Sequence, residues 1–196
     1  MPTYFYCNWI MTPIISDLKK LIKRLFPSKQ LPTNSAPMDS SLKKPNIDLL
    51  LASENENGSI IELDNYICAL CEWCDNLSAL SNPQKVFYFN QELEREINNS
   101  GFDQYFYNTS GNYANDTIET LNLIGANKTA KILEAAIEIF PDKNVPVDRN
   151  LRQDAMFDIG DARKEHWNKL DQQFFKYKDD LYALNIEFVR QNKLYF

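Results

Sequence analysis

Through most of this chain apolar residues return every three or four positions, the spacing of one face of an α-helix, and no two alternating runs pair into a sheet. The first such run is Thr12–Phe26, with Ile14, Ile15, Leu18, Leu21, Ile22 and Leu25 on one side and Lys19, Lys20, Lys23 and Arg24 largely on the other. Pro27–Asn57, with Pro32, Pro37, Pro45 and several Ser and Asn residues, reads as a flexible linker. Leu63, Ile67, Leu70, Cys74 and Leu77 then line one face of a helix within Ile61–Leu80. Val86, Phe89, Leu93 and Ile97 line the next, with Pro83 in its first turn. Helix Tyr113–Ile124 stops at Gly125, a residue suited to a left-handed cap, and helix Asn127–Phe140 stops at Pro141. Three more follow: one near Asp148 with Leu151, Ala155 and Ile159; one near Asp161 with Trp167, Leu170 and Phe174; one from Lys178 with Leu181, Leu184 and Phe188. In the last, Asp179 and Asp180 at the start and Lys193 near the end suit the helix dipole. The pattern predicts an all-α fold, a multi-helix array of antiparallel helical hairpins, preceded by the amphipathic helix and linker. The domains are then 1–57, basic helix plus linker, and 58–196, the helical domain.

Charge sharpens that division. The 196 residues carry a formal net charge of −6, and 44% are apolar, enough for one domain with a real core. The charge is uneven: residues 1–45 sum to +5, residues 46–127 to −11, and residues 128–196 balance. An acidic protein of this kind is not a general nucleic-acid binder, which would need the opposite sign. The basic first helix is too short and too charged to span a bilayer, and docking on its own domain or on a partner is favoured over a membrane surface. No apolar segment followed by a small-residue cleavage site precedes the cysteines, so free thiols and a cytoplasmic location are expected.

Candidate chemistry is sparse. Cys68, Cys71 and Cys74 form C-x-x-C-x-x-C, but on a helix these positions spread over about 120° of arc at 3.6 residues per turn. Three sulfurs so arranged converge poorly on one ion, the fourth ligand would have to be His166, and small core-facing cysteines are the favoured reading. No phosphate-cradling glycine loop and no H-E-x-x-H occurs. His166, the only histidine, lies beside Trp167 among charged neighbours, as a solvated or edge-packed residue does. The expectation is a protein without catalytic residues, metal or cofactor.

The segment from Glu92 to Tyr113 departs from ordinary bundle composition. Amides and hydroxyls at Asn98, Asn99, Gln104, Asn108 and Ser110 interleave with five aromatic residues at a helix-to-helix corner. The run N-N-S-G-F-D-Q-Y-F-Y-N-T-S-G from Asn98 to Gly111 is followed by T-I-E-T-L-N-L-I-G-A from Thr117 and K-T-A-K-I-L-E-A-A-I-E-I-F-P from Lys128. Together with Trp167, Leu170-Asp171, Phe174-Phe175 and Asp179-Asp180-Leu181, it closely resembles the DNA-mimic-like family over roughly Leu80–Val189. Much of that family is catalogued only as a domain of unknown function. One departure is visible: the family usually has two glycines before the phenylalanine, and Ser100-Gly101 stands here.

The resemblance implies an all-helical fold without known catalysis and, in at least one member, an acidic surface that stands in for DNA on a DNA-binding repressor. Such mimicry needs carboxylates arrayed like phosphates. The candidate partner-binding face is Glu72, Asp75, Glu92, Glu94, Glu96, Asp103, Asp116 and Glu119, with Glu72/Asp75 and Glu92/Glu96 as like-charge helical pairs. The motif corner is Asn99, Gly101, Phe102, Gln104, Phe106, Asn108, Ser110 and Gly111. The leading expectation is an interaction protein whose partner is a basic protein, plausibly a DNA-binding regulator, with no direct contact to nucleic acid and with homodimerisation left open. The rivals are an immunity or antitoxin-like inhibitor of a basic nuclease, and a small-molecule pocket formed by Gln104, Asn108, Ser110 and Tyr113.

Overall fold

The structure, a computed structural model, describes residues 43–196 other than Cys74. The expected basic helix Thr12–Phe26 lies outside the described residues, as does the part of the expected linker before residue 43. Among the described residues there are eight α-helices and no strand, the all-α architecture that the periodicity predicts. They are α1 (Ile47–Leu51), α2 (Glu56–Leu70), α3 (Asn82–Tyr107), α4 (Ala114–Ile124), α5 (Asn127–Ile137), α6 (Arg149–Ile159), α7 (Ala162–Phe174) and α8 (Leu181–Gln191).

Helix α3 is the axis around which the others pack: α2, α4, α6, α7 and α8 all contact it. Ser81 starts it with a full capping box. The Ser81 hydroxyl accepts from Gln84 N at 3.3 Å, and the Gln84 side chain accepts from Ser81 N at 2.8 Å. From there Val86, Phe87, Tyr88, Phe89, Asn90 and Gln91 are buried in succession, so the helix is covered on all sides and not along one stripe. Inside this shell Thr120 Oγ1 donates to Asn90 Oδ1 at 2.9 Å, and Asn90 Nδ2 donates to Asn185 Oδ1 at 3.3 Å, tying α3 to α4 and α8. Deeper along the axis Phe106 lies 5.0 Å from the Trp167 ring and 5.1 Å from Phe140, between α7 and the end of α5.

Several predicted boundaries move. Helix α2 ends at Leu70 and does not run to Leu80: Cys71 caps it, and Glu72 and Trp73 take left-handed φ values of 51° and 55°. No glycine marks that stop, which is why apolar spacing alone carried the element too far. Part of the expected linker is helical, since Asn46 caps α1 by accepting from Leu49 N at 3.2 Å. Gly125 ends α4 in the left-handed conformation, φ 88°, as expected. Helix α5 finishes at Ile137, three residues before the predicted Phe140. On α6 the predicted inward stripe is the wrong one: Leu151 is 62% exposed, and the buried residues are Arg152 and Met156. Trp167, Leu170 and Phe174 are all buried on α7, as predicted.

Candidate functional site

The motif corner is built on a break in α3. Ser100 (φ −154°, ψ 26°) and Gly101 (φ 76°, ψ −170°) leave the helical conformation, and the chain resumes it at Phe102. The freed amide of Phe102 donates to Asp171 Oδ1 of α7 at 3.0 Å, so a carboxylate from far along the chain caps the second half of the helix. A Cβ at Gly101 would collide with that carboxylate, and its positive φ disfavours any other residue. Ser100 has a negative φ and accepts a side chain there, whereas Gly101 does not. Burial raises the Asp171 pKa above the ordinary range, against the opposing hydrogen bond from Phe102.

Before the break, Glu96 reaches forward across it. Its carboxylate, 9% exposed, accepts from Gln104 Nε2 at 2.6 Å and from Asn108 Nδ2 at 3.0 and 3.1 Å. Burial pushes its pKa up, while the two amide donors pull the other way. The Ser110 hydroxyl donates to Tyr105 O at 2.8 Å, and Tyr105 OH to Thr117 Oγ1 at 3.1 Å. The amide nitrogens of Gln104 and Asn108 and the hydroxyl of Ser110 are thus already engaged inside the protein, and Tyr113 stacks on Phe89 with ring centres 5.0 Å apart. What is left is a shallow, open groove lined by Ser100, Asp103, Gln104, Tyr107 and Asn108.

Arg152 closes the corner, and the helical pattern hid it. Fully buried on α6, it donates to Phe106 O (2.6 Å), Asn108 O (2.7 Å), Asn112 Oδ1 (2.7 Å), Pro146 O (2.7 Å) and Val147 O (3.1 Å). Among the described residues no carboxylate is ion-paired with it. Carbonyls at the negative end of α3 take that place. Tyr107 O, between them, accepts from Arg149 Nε at 3.1 Å and Gln153 Nε2 at 2.9 Å. A Cβ on Gly111 would stand 2.6 Å from Arg152 Nε, so that glycine makes room for the guanidinium. The available signal was general: the last carbonyls of any helix need donors, and the stretch from Asn108 to Asn112 after α3 offers no cationic one.

The eight predicted partner-facing carboxylates do not form one face. Glu96 is buried in the corner. Glu92 and Asp64 are both ion-paired with Arg95, and Glu92 retains 12% side-chain exposure. Glu94 is half-buried, accepts from Gln91 Nε2 at 3.4 Å, and has its pKa raised by burial. These three carboxylates are corrected from a solvent-facing array to interior and helix-packing groups, because α3 is the enclosed axis and not a surface helix. Glu72 and Asp75 are exposed but lie past the end of α2, so they are not a helical pair. Asp103 pairs with Arg163 at 2.8 Å, and Asp116 and Glu119 are half-buried on α4, with Lys85 near Asp116. Among the motif residues, Asn99 is exposed, whereas Phe102 and Phe106 are core.

The remaining chemistry is quiet. Cys68 and Cys71 are buried free thiols, and burial with Asp64 nearby pushes the Cys68 pKa up, away from a reactive thiolate. Cys74 lies outside the described residues. His166 Nε2 meets Ala135 O at 2.8 Å and Trp167 Nε1 donates to Ala136 O at 2.9 Å, both on the last turn of α5. Asp179 caps α5 as well, accepting from Lys128 N and Thr129 N at 2.8 Å each, and so serves a different helix from the one it precedes. Among the described residues no metal-ligand cluster gathers, and no helix is long and apolar enough to cross a membrane.

Helices packed round a broken central axis, with a motif spent on holding that break, define an acidic all-α protein. The chain belongs to the DMP19-like protein family, whose match spans residues 78–192. That span covers α3 to α8, including the break at Gly101, the Arg152 cradle and the Asp179 cap. No curated protein and no solved structure matches the chain.

Proposed function

We propose that this protein is a non-catalytic interaction module that presents carboxylates in place of phosphates to a basic protein surface, the DNA-binding face of a regulator. The observation that carries this reading is how the surface charges are distributed. The described residues hold 16 Lys and Arg against 25 Asp and Glu. Many of the exposed cations are already tied to carboxylates, as in Lys143–Glu138, Lys169–Glu165 and Lys193–Asp48. Glu62, Glu72, Asp75, Glu134, Asp154 and Asp158 remain exposed with no ion-pair partner among the described residues. The residual field is negative, and it attracts Arg and Lys side chains shaped to meet phosphates. Family membership supports the same reading through the mimicry for which the family is named. The pocket alternative has less support, because the donor nitrogens of Gln104 and Asn108 are engaged by Glu96.

The test is retention of proteins from the source organism's lysate on the immobilised full chain, at about 50 mM and about 500 mM salt, with duplex DNA as the eluting competitor. A DNA-binding protein that is held at low salt and displaced by either treatment is the expected result. Retention indifferent to both salt and DNA would refute mimicry, and a captured nuclease inhibited by the chain would move the reading to a nuclease inhibitor.

A further inference from the structure

We propose that the outward face of α6 is the docking surface for that partner, and that it takes a protein surface which is basic and partly apolar. This rests on the reading of the protein as an acidic interaction module. The inward side of α6 is fully employed: Arg152 and Met156 are buried, and Arg149 and Gln153 hold the end of α3. At 100° per residue, Leu151, Asp154, Phe157 and Asp158 fall within about 120° of arc on the opposite side. Phe157 is 83% exposed and Leu151 62%, and Val147, just ahead of the helix, is 66% exposed. Between the apolar residues stand Asp154 and Asp158, exposed and without a hydrogen-bond or ion-pair partner among the described residues.

None of these choices stabilises the free chain. Like charges at i, i+4 cost a helix a few tenths of a kcal/mol. Asp158 also sits in the last turn, at the negative end of the helix dipole. Phe157 in water forgoes the burial that an aromatic ring gains in a core. The combination has the anatomy of an interface, apolar anchors flanked by charge, and the unpaired carboxylates set the sign of the partner. A nucleic acid or an anionic bilayer carries the wrong charge. In an antiparallel two-fold pairing of α6 with a second copy, Asp154 lies at the helix centre and would face itself, so a basic partner fits better than a second copy.

The probe is the heparin-retained protein fraction of the source organism's lysate, passed over the immobilised full chain. Four forms are compared: wild type, Asp154→Lys with Asp158→Lys, Leu151→Ser with Phe157→Ser, and Glu138→Lys with Glu165→Lys, two carboxylates already paired within the chain. All the substituted side chains are exposed, and far-UV circular dichroism with thermal melts checks that each form is folded. Both α6 variants are expected to retain at least tenfold less basic protein than wild type, with the Glu138/Glu165 variant within twofold of it. Equal retention by the α6 variants, or none by wild type, overturns the inference. So does a wild-type dimer in sedimentation that Phe157→Ser splits, since a second copy would then cover the face. Loss confined to the Glu138/Glu165 variant removes α6 but leaves the acidic module standing. Loss on α6 that is indifferent to salt and duplex DNA keeps the face and removes the mimicry.

Discussion

Replacing Arg152 with Met keeps most of the side-chain volume and removes the guanidinium. Five acceptors lose their donor: Phe106 O, Asn108 O, Asn112 Oδ1, Pro146 O and Val147 O. Val147 is exposed and Pro146 half-buried, so water can replace the donor there at little cost. Phe106 O lies inside the core and Asn108 O beside it, and a buried acceptor left unpaired costs about 1–3 kcal/mol. Two such groups, together with the lost interaction between a cation and the end of α3, give about 3–5 kcal/mol. For a domain of this size that lowers Tm by roughly 10–15 °C. Urea and thermal unfolding at pH 7 measure it, and Arg152→Lys should recover less than half, since one ammonium cannot span acceptors on both sides of the fork. Gly111→Ala adds an internal check, because its Cβ would sit 2.6 Å from Arg152 Nε. It should cost markedly less in the Arg152→Met background than in wild type, the non-additivity expected of two groups in direct contact. A loss below about 1 kcal/mol for Arg152→Met, or full additivity with Gly111→Ala, would refute the capping argument.

Two further outcomes follow from the same corner. Gly101→Ala is expected to cost about 2–4 kcal/mol, from a positive φ and a collision with the Asp171 carboxylate, and about half of that once Asp171→Ala has removed the carboxylate; paired urea titrations read both. Glu96 has a pKa raised by burial, so the folded state holds its proton more tightly than the unfolded chain does; its stabilising contribution is complete below the unfolded pKa and is lost as pH rises through the folded one. Glu96→Gln should therefore flatten the decline in stability as pH rises above the ordinary glutamate pKa of about 4.3, and identical slopes for wild type and variant would show that the carboxylate is not buried.

Legibility in the sequence was uneven for identifiable reasons. Elements whose ends carry their own signal were readable, such as Pro83 in the first turn of α3 and Gly125 at the end of α4. So was the buried face of α7, where apolar spacing and burial coincide. Helix α6 misled because its inner face uses a charged residue and its outer face apolar ones, the reverse of the rule that periodicity assumes. The acidic triplet Glu92, Glu94 and Glu96 misled for a related reason. On an enclosed helix, carboxylates are satisfied by partners such as Arg95 and Gln104, and local sequence does not reveal enclosure. Asp179 and Asp171 act on helices remote in sequence, so their roles could be seen only once the chain had folded back.

The break at Gly101 also bears on how the chain is made. The first half of α3 carries its own start signal at Ser81, but the second half waits for Asp171, which leaves the ribosome about 70 residues later. At about 5–20 residues per second that is an interval of roughly 4–14 seconds. Throughout it Phe102 and Phe106, both core residues of the finished protein, have no α7 to cover them. The nascent chain is at its most adhesive during that interval, and it passes out of danger when Asp171 and the aromatic face of α7 arrive together.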